Sequence, residues 1–259
     1  MAENGLKVTV LGSGTCVPRL LRAASSVLLS FGRERILLDT GPGAMRRLLE
    51  AGSHPGEITA LFYSHLHPDH TAELAPFLFS AKYPPGLRRQ KPFVVVAARG
   101  FGAFYENLQK AYGSWIVLDD GLMRILEMDC LGPDSLELPA YTVRSCPVRH
   151  TPHSLAFRIT TPSGVSVVYS GDTDFSEELI ALAQGADLFL CESSMPDGMK
   201  VEGHLTPSLA GRMAAGAGVK RLVLTHLYPE ADAVDLAAQC RQTWHGPLDV
   251  AQDLMEFRL

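Results

Sequence analysis

Residues 61–70 read Leu-Phe-Tyr-Ser-His-Leu-His-Pro-Asp-His, a strand-like apolar run that ends in three histidines and an aspartate. So many imidazole and carboxylate groups in six residues are difficult to explain as core packing. They are the donors that zinc and similar divalent ions prefer. A turn can point His65 and His67 one way and Asp69 and His70 another, which predicts two adjacent metals on one loop. Six residues cannot enclose two metals, so further ligands must come from downstream.

The composition is that of an ordinary globular protein. The 259 residues are 46% hydrophobic and 20% charged, and we expect one domain over residues 1–259. A formal charge of −5 disfavours broad electrostatic attraction to nucleic acid. No apolar run approaches the roughly 20 residues that span a bilayer, and the first residues lack a signal pattern. We therefore expect a cytoplasmic protein with no membrane partner.

Short apolar runs alternate with helix-like stretches, which predicts a layered α/β fold. The runs at 123–128, 141–149, 155–160 and 165–170 are short and separated by turn residues, a pattern typical of an antiparallel sheet. His65, Asp172, Glu192 and His226 each follow a hydrophobic run directly. Loops at one sheet edge can bring such residues together around a ligand.

The segment from His65 to His70 resembles the signature loop of the metallo-β-lactamase superfamily. Further stretches resemble other motifs of that family in order: 11–15, 38–41, His150, Asp172 within 170–173, and His226 within 224–227. The resemblance spans nearly the whole chain. It implies an α/β (α+β layered) fold, a four-layer αβ/βα sandwich with metals at the edge of its two sheets.

The resemblance also implies a ligand set. In this set, one metal is bound by His65, His67 and His150. The other is bound by Asp69, His70 and His226, and Asp172 bridges the two metals. We expect two divalent metal ions, with Zn²⁺ favoured and Mn²⁺ or Fe²⁺ as alternatives. Two divalent ions, two aspartates and one bridging hydroxide leave about one positive charge, which favours a small, singly anionic substrate such as a phosphodiester.

Three details narrow the choice within the superfamily. His67 stands where diiron oxidoreductases of this fold carry a carboxylate, which favours hydrolysis over redox chemistry. Asp172 replaces the cysteine of the best-known true β-lactamases. Glu192 and the segment Gly203-His204-Leu-Thr206 resemble the ribonuclease Z and phosphodiesterase branch. We expect His204 to bind the scissile phosphate or protonate the leaving oxygen, while Asp69 and Asp172 orient a metal-bound hydroxide.

The leading interpretation is a dinuclear metal-dependent hydrolase that acts on a small nucleotide or an RNA-type phosphodiester. An ester, thioester or lactone hydrolase is the alternative, because the same site can attack a carbonyl carbon. A non-catalytic metal- or ligand-binding protein is an alternative from another class. RNA is less favoured as a partner, since 113–150 contains no long Gly/Pro-rich arm and the basic stretch 82–91 is typical of a solvated loop. A homodimer agrees with the resemblance, although nothing in the sequence marks an interface.

Several polar residues keep two interpretations. Asp39 either braces the His-rich loop or only forms a turn, and we favour the turn. Glu192 either orients a histidine or is a surface acid at a strand end. His204 could be a helix-entry residue with no chemical role. Other histidines are expected outside the site: His54, His153 and His245.

Overall fold

Two mixed sheets of seven strands form the framework of the computed structural model, which describes residues 5–83 and 88–259. The first sheet has the order β14-β1-β2-β3-β4-β5-β6, and the second has the order β13-β12-β11-β10-β9-β8-β7. The strands are β1 (Lys7–Gly12), β2 (Ser26–Phe31), β3 (Glu34–Leu38), β4 (Ala60–Tyr63), β5 (Phe93–Ala98), β6 (Met123–Met128), β7 (Asp134–Leu138), β8 (Tyr141–Pro147), β9 (Leu155–Thr160), β10 (Ser166–Tyr169), β11 (Leu188–Glu192), β12 (Leu222–Thr225), β13 (Leu248–Val250) and β14 (Glu256–Arg258).

The two sheets pack against each other through one apolar core. Phe62 of the first sheet meets Phe157 of the second edge to face, with ring centroids 5.3 Å apart. Side chains that alternate along the strands point to this core on one face and to helices on the other. Burying each large apolar side chain contributes about 1.5–3 kcal/mol.

Helices cover the outer face of each sheet. Buried Tyr63 and Leu61 on the outside of the first sheet pack with Phe77 and Phe101, whereas Phe189 and Met213 belong to the cluster outside the second. This arrangement confirms the four-layer αβ/βα sandwich. The helices are α1 (Ala44–Glu50), α2 (Pro68–Thr71), α3 (Leu74–Lys82), α4 (Phe101–Tyr112), α5 (Glu177–Ala183), α6 (Pro207–Ala217) and α7 (Leu236–Cys240).

The prediction of an antiparallel sheet from residue 123 onward is partly wrong. Strand β6 joins the first sheet, parallel to β5, and β7 takes the edge of the second sheet instead. Strand β10 is antiparallel to β9 but parallel to β11. Alternating hydrophobicity indicates that a segment is a strand, but it does not encode the direction or identity of a distant partner.

The ends of three strands deliver the chain to one edge of the sandwich. Strands β4, β10 and β12 end at Tyr63, Tyr169 and Thr225, just before His65, Asp172 and His226. The turn after β3 supports the metal loop, because Thr40 N–H donates to the carbonyl oxygen of His70 at 2.7 Å. Within residues 5–83 and 88–259, no helix has the length and apolar character needed to cross a membrane.

Candidate metal centre

All seven residues expected as metal ligands lie together at this edge. In each of two groups, the potential ligand atoms lie within 4.8 Å of one another. The first group is His65, His67, His150 and Asp172, and the second is Asp69, His70 and His226. These are the sets implied by the resemblance, with Asp172 assigned to the first.

Asp172 lies between the two groups and faces both of them. Its Oδ2 atom is 3.7 Å from Nε2 of His65 and 3.7 Å from Nε2 of His150. Its Oδ1 atom is 3.3 Å from Nε2 of His70 and 3.3 Å from Nε2 of His226. One carboxylate thus offers a separate oxygen to each group, the arrangement expected of a bridging ligand.

At His150 and His70, a hydrogen bond at Nδ1 leaves Nε2 pointing toward the centre. Nδ1 of His150 lies 3.0 Å from the carbonyl oxygen of Gly203, which can only accept, so Nδ1 carries the proton and Nε2 of the neutral ring keeps its lone pair for a metal ion. Nδ1 of His70 likewise faces the Asp39 carboxylate. Nε2 of His150 and Nδ1 of His67 lie 3.1 Å apart, close enough for both nitrogens to coordinate one cation.

Buried polar atoms at the centre test whether the site suits a cation. Nε2 of His65, His70 and His226 and Oδ1 of Asp172 are buried and have no hydrogen-bond partner among the described residues. Leaving such an atom unpaired costs about 1–3 kcal/mol. Coordination to divalent ions would satisfy all four atoms, so the donor set fits a metal centre.

The electrostatics favour the protonation states that bind cations at most of these positions. Burial lowers the pKa of His65 and of His150, which keeps both imidazoles neutral. Burial opposes ionisation of Asp172, but the surrounding imidazoles outweigh it and hold its pKa well below the usual value. At His70 burial opposes protonation, yet the carboxylates of Asp172 and Asp39 raise its pKa, so a metal ion would displace a proton there.

Asp39 is fully buried behind the metal loop and does more than form a turn. Its Oδ2 accepts hydrogen bonds of 2.7 Å from Nδ1 of His70, from Ser64 Oγ and from the Tyr169 hydroxyl, while Oδ1 accepts from Ser64 N–H at 2.8 Å. Its backbone adopts φ 57°, in the left-handed region that aspartate tolerates. Asp39 therefore fixes both the orientation of His70 and the start of the loop.

Glu192 is also buried, which excludes a role as a surface acid. Its Oε1 lies 2.8 Å from Nδ1 of His204 and accepts from Thr173 N–H, and its Oε2 accepts from Leu205 N–H and from Ser194 Oγ. Burial opposes protonation of His204, but the hydrogen bond that its Nδ1 donates to the Glu192 carboxylate, together with the nearby negative charges, outweighs burial and raises the pKa of His204. The carboxylate thus fixes the ring of a histidine beside the centre.

His204 stands next to the metal centre, with its ring centroid 4.9 Å from that of His150 and 5.7 Å from that of His226. Its potential ligand atom also lies within 4.8 Å of those of Asp172 and His226. Sequence reasoning does not identify two neighbours: Ser194, whose Oγ is 3.0 Å from Nδ1 of His226, and Tyr228, whose ring meets that of His204 edge to face with centroids 6.3 Å apart. Their positions two residues after Glu192 and His226 were the available signal.

The remaining candidates lie elsewhere. His54, His153 and His245 are exposed, and none belongs to the ligand groups above. In the basic stretch, Arg89 is buried and donates to the carbonyl oxygen of Pro55, while Arg88 pairs with Asp119. Residues 84–87 of that stretch lie outside the described residues. Arg89 therefore stabilises the fold through internal contacts and is not available to bind a polynucleotide.

Comparison with known proteins agrees with this architecture. A family model described as the β-lactamase superfamily domain matches residues 34–227. An uncharacterized protein of Mycobacterium tuberculosis is 32% identical over 262 residues, covering 98% of this chain and 93% of the relative. Ribonuclease Z of Methanothermobacter thermautotrophicus is 29% identical over 302 residues, covering 96% and 95%. The crystal structure of the metallo-β-lactamase fold protein YhfI from Bacillus subtilis superposes with a TM-score of 0.83 at 24% identity, covering 98% of this chain and all of that one. The chain has the metallo-β-lactamase fold, and ribonuclease Z is among its relatives. It therefore belongs to the β-lactamase superfamily.

Proposed function

We propose that the protein is a phosphodiesterase that uses two divalent metal ions. His65, His67 and His150 would hold one ion, and Asp69, His70 and His226 would hold the other, with one carboxylate oxygen of Asp172 offered to each. The division of the two Asp172 oxygens between the two groups of imidazoles is the observation that carries this proposal. Imidazole and carboxylate donors make Zn²⁺ the expected metal.

When bound, two divalent ions at such a site activate water and stabilise the negative charge that develops on a phosphoryl oxygen. The residues of the chain position the water and the substrate. Asp69 and Asp172 orient the attacking water through their carboxylate oxygens, and Asp39 holds His70 in register with both.

His204 acts on the leaving side of the phosphodiester. Because Glu192 occupies Nδ1, the Nε2 atom of His204 is the one available to a substrate. From there it binds a phosphoryl oxygen or donates a proton to the leaving oxygen as the P–O bond breaks. Because the segment around His204 resembles the ribonuclease Z and phosphodiesterase branch, His204 favours the phosphodiester over a carbonyl substrate.

The substrate we propose is a small nucleotide diester. The chain between Gly113 and His150 folds into strands β6, β7 and β8 with short connections, which supports the absence of a long arm for gripping tRNA. The named relative, ribonuclease Z, makes an RNA phosphodiester the second substrate class.

A substrate panel tests this function. Protein of measured metal content is assayed against bis(p-nitrophenyl) phosphate, p-nitrophenyl phosphate, a lactone and a thioester. We expect the diester to be hydrolysed with the highest kcat/KM, and both Asp172→Asn and chelation to abolish that activity. The exposed control His153→Ala keeps full activity. Preference for the lactone or thioester would overturn the phosphodiesterase assignment.

A further inference from the structure

Asp174 is a partly buried carboxylate just outside the metal centre, two residues beyond Asp172. Its side chain is 25% exposed and belongs to none of the ligand groups above. Its backbone N–H donates to the carbonyl oxygen of Arg149 at 2.8 Å. Because Arg149 directly precedes His150, this hydrogen bond restrains the backbone that carries one expected ligand.

The carboxylate of Asp174 holds the segment that leads into α6. Its Oδ2 atom accepts from Gly203 N–H at 3.1 Å and from Nζ of Lys200 at 2.7 Å, while Oδ1 accepts from Phe175 N–H at 2.8 Å. A partly exposed ion pair such as the one with Lys200 contributes little on its own, because solvent screens it. The hydrogen bond from Gly203 is therefore the contact that extends toward the centre.

The backbone groups of Gly203 connect Asp174 to His150. The carbonyl oxygen of Gly203 accepts from Nδ1 of His150 at 3.0 Å. A hydrogen bond at the second ring nitrogen sets the orientation of a metal-binding imidazole. At Gly203 φ is 81°, and an added Cβ would lie 3.2 Å from Nδ1 of His150, so the ring packs directly against the glycine. Asp174 thus restrains His150 twice, through the backbone at Arg149 and through the ring contact of Gly203.

His204 shares this restraint because it follows Gly203 directly in the chain. Its ring centroid lies 4.9 Å from that of His150. A shift of the segment 200–203 would therefore move both rings. Misplacing a reacting group by about 1 Å can cost about 10²-fold in rate, so a contact that fixes both rings matters for turnover as well as for metal binding.

We propose that Asp174 is a positioning residue that fixes His150 and His204 relative to each other by holding Gly203. The inference rests on the proposed phosphodiesterase function and adds to it a residue that touches neither metal nor substrate. A role limited to the ion pair with Lys200 is the alternative that the experiments must separate from it.

Two variants divide the contacts of the Asp174 carboxylate. Asp174→Ala removes the acceptor of Gly203 N–H, whereas Lys200→Met, the matched control, removes only the ion pair. Competition of the full-length, zinc-loaded protein with a chelator of known affinity measures both zinc affinities. We expect Asp174→Ala to lower one of them about 10- to 100-fold and to leave the other within about threefold of the wild-type value. Lys200→Met should leave both unchanged.

A pair of glycine variants tests the same link without touching Asp174. Gly203→Ala and Gly164→Ala place alanine at similar left-handed backbones, with φ 81° and 85°. Both should therefore lower Tm, but only the Cβ at position 203 meets the His150 ring, since the one at position 164 meets nothing within 4 Å. We expect the zinc affinity to fall in Gly203→Ala alone. Absorption spectra of the cobalt-loaded proteins should change in the same variant alone, because they report the ligand geometry.

Kinetics at saturating zinc test the effect on His204. For bis(p-nitrophenyl) phosphate, we expect Asp174→Ala to lower kcat about tenfold or more and to leave KM within about twofold of the wild-type value. A loss of stability alone would lower the amount of active protein at high temperature and would leave the zinc affinities and the cobalt spectrum unchanged.

The outcomes separate this inference from the function on which it rests. Equal zinc affinities in Asp174→Ala and Lys200→Met would overturn the positioning role and leave the phosphodiesterase intact. If Asp174→Ala does not fold, the two glycine variants decide, and equal zinc affinities in them would have the same meaning. A wild-type protein that binds two zinc ions but hydrolyses no diester would refute the proposed function, while the zinc affinities would still decide the role of Asp174. Fewer than two zinc ions in the wild-type protein would contradict both.

Discussion

The carboxylate of Asp39 accepts a hydrogen bond of 2.7 Å from Nδ1 of His70, although 31 residues separate them along the chain. Asp39 comes from the turn after β3, and His70 from the loop after β4. Since these strands are parallel neighbours, their carboxyl ends meet at the same edge. The bond therefore links the first-sheet topology directly to the orientation of an expected metal ligand.

Replacing Asp39 with Asn should weaken the metal centre without unfolding the protein. Asparagine tolerates the left-handed backbone at this position, but it removes the charge that orients His70. Loss of such an outer carboxylate typically lowers metal affinity about 10- to 100-fold. Competition with a chelator of known zinc affinity measures the change. An unaltered affinity would mean that Asp39 serves the turn alone.

Replacing His204 with Ala should reduce turnover of a phosphodiester and spare the metals. General acid catalysis contributes about 10²- to 10⁴-fold, so kcat should fall by that order. Elemental analysis of the same sample should return the wild-type metal content. Loss of one metal would instead identify His204 as a ligand, alongside Asp172 and His226. The matched control is His153→Ala, which alters an exposed histidine that is neither an expected metal ligand nor a neighbour of His204 in the centre.

Removal of metal should lower the melting temperature, because the unpaired nitrogens of His65, His70 and His226 then remain buried. Free zinc at about 100 times its Kd stabilises the folded state by about 2.7 kcal/mol per site. For a chain of this length one site should therefore raise Tm by about 5–10 °C. Differential scanning calorimetry with and without a chelator measures it. A Tm that does not change when micromolar zinc is added would contradict a buried metal centre.

Replacing Gly41 with Ala should disturb the metal loop. The added Cβ would lie 2.0 Å from the carbonyl oxygen of Asp69, so the loop must move. Overpacking of this kind costs about 1–3 kcal/mol, and we expect metal affinity to fall with stability. Gly132→Ala is the matched control, since its Cβ would meet nothing within 4 Å. Urea unfolding and zinc titration report the two effects; equal behaviour of both variants would refute the close packing.

Local sequence patterns predict much of the site. The six residues from His65 to His70 contain four of the expected ligands, and the strand before them places the loop at a sheet edge. His150, Asp172 and His226 follow other strands in the same way, so the family resemblance could bring them together. Their convergence depends on strand ends, which hydrophobic runs indicate only to within a few residues.

The contacts that hold the expected ligands in place cannot be predicted from local sequence in the same way. Tyr169 reaches Asp39 across 130 residues, and no local pattern signals that hydrogen bond. Glu192 at a strand end looks the same in sequence whether it faces solvent or His204, because burial depends on the covering layer. The pairing of β6 with β5 is unpredictable for a related reason, since packing between distant segments determines which sheet a strand joins.

The central claim is that two divalent ions occupy two sets of side chains joined by Asp172. Anomalous diffraction from crystals of the zinc-loaded protein tests it most directly. We predict two anomalous peaks, one among His65, His67 and His150 and one among Asp69, His70 and His226, with an oxygen of Asp172 bound to each. A single peak, or a peak coordinated by His204, would contradict this account.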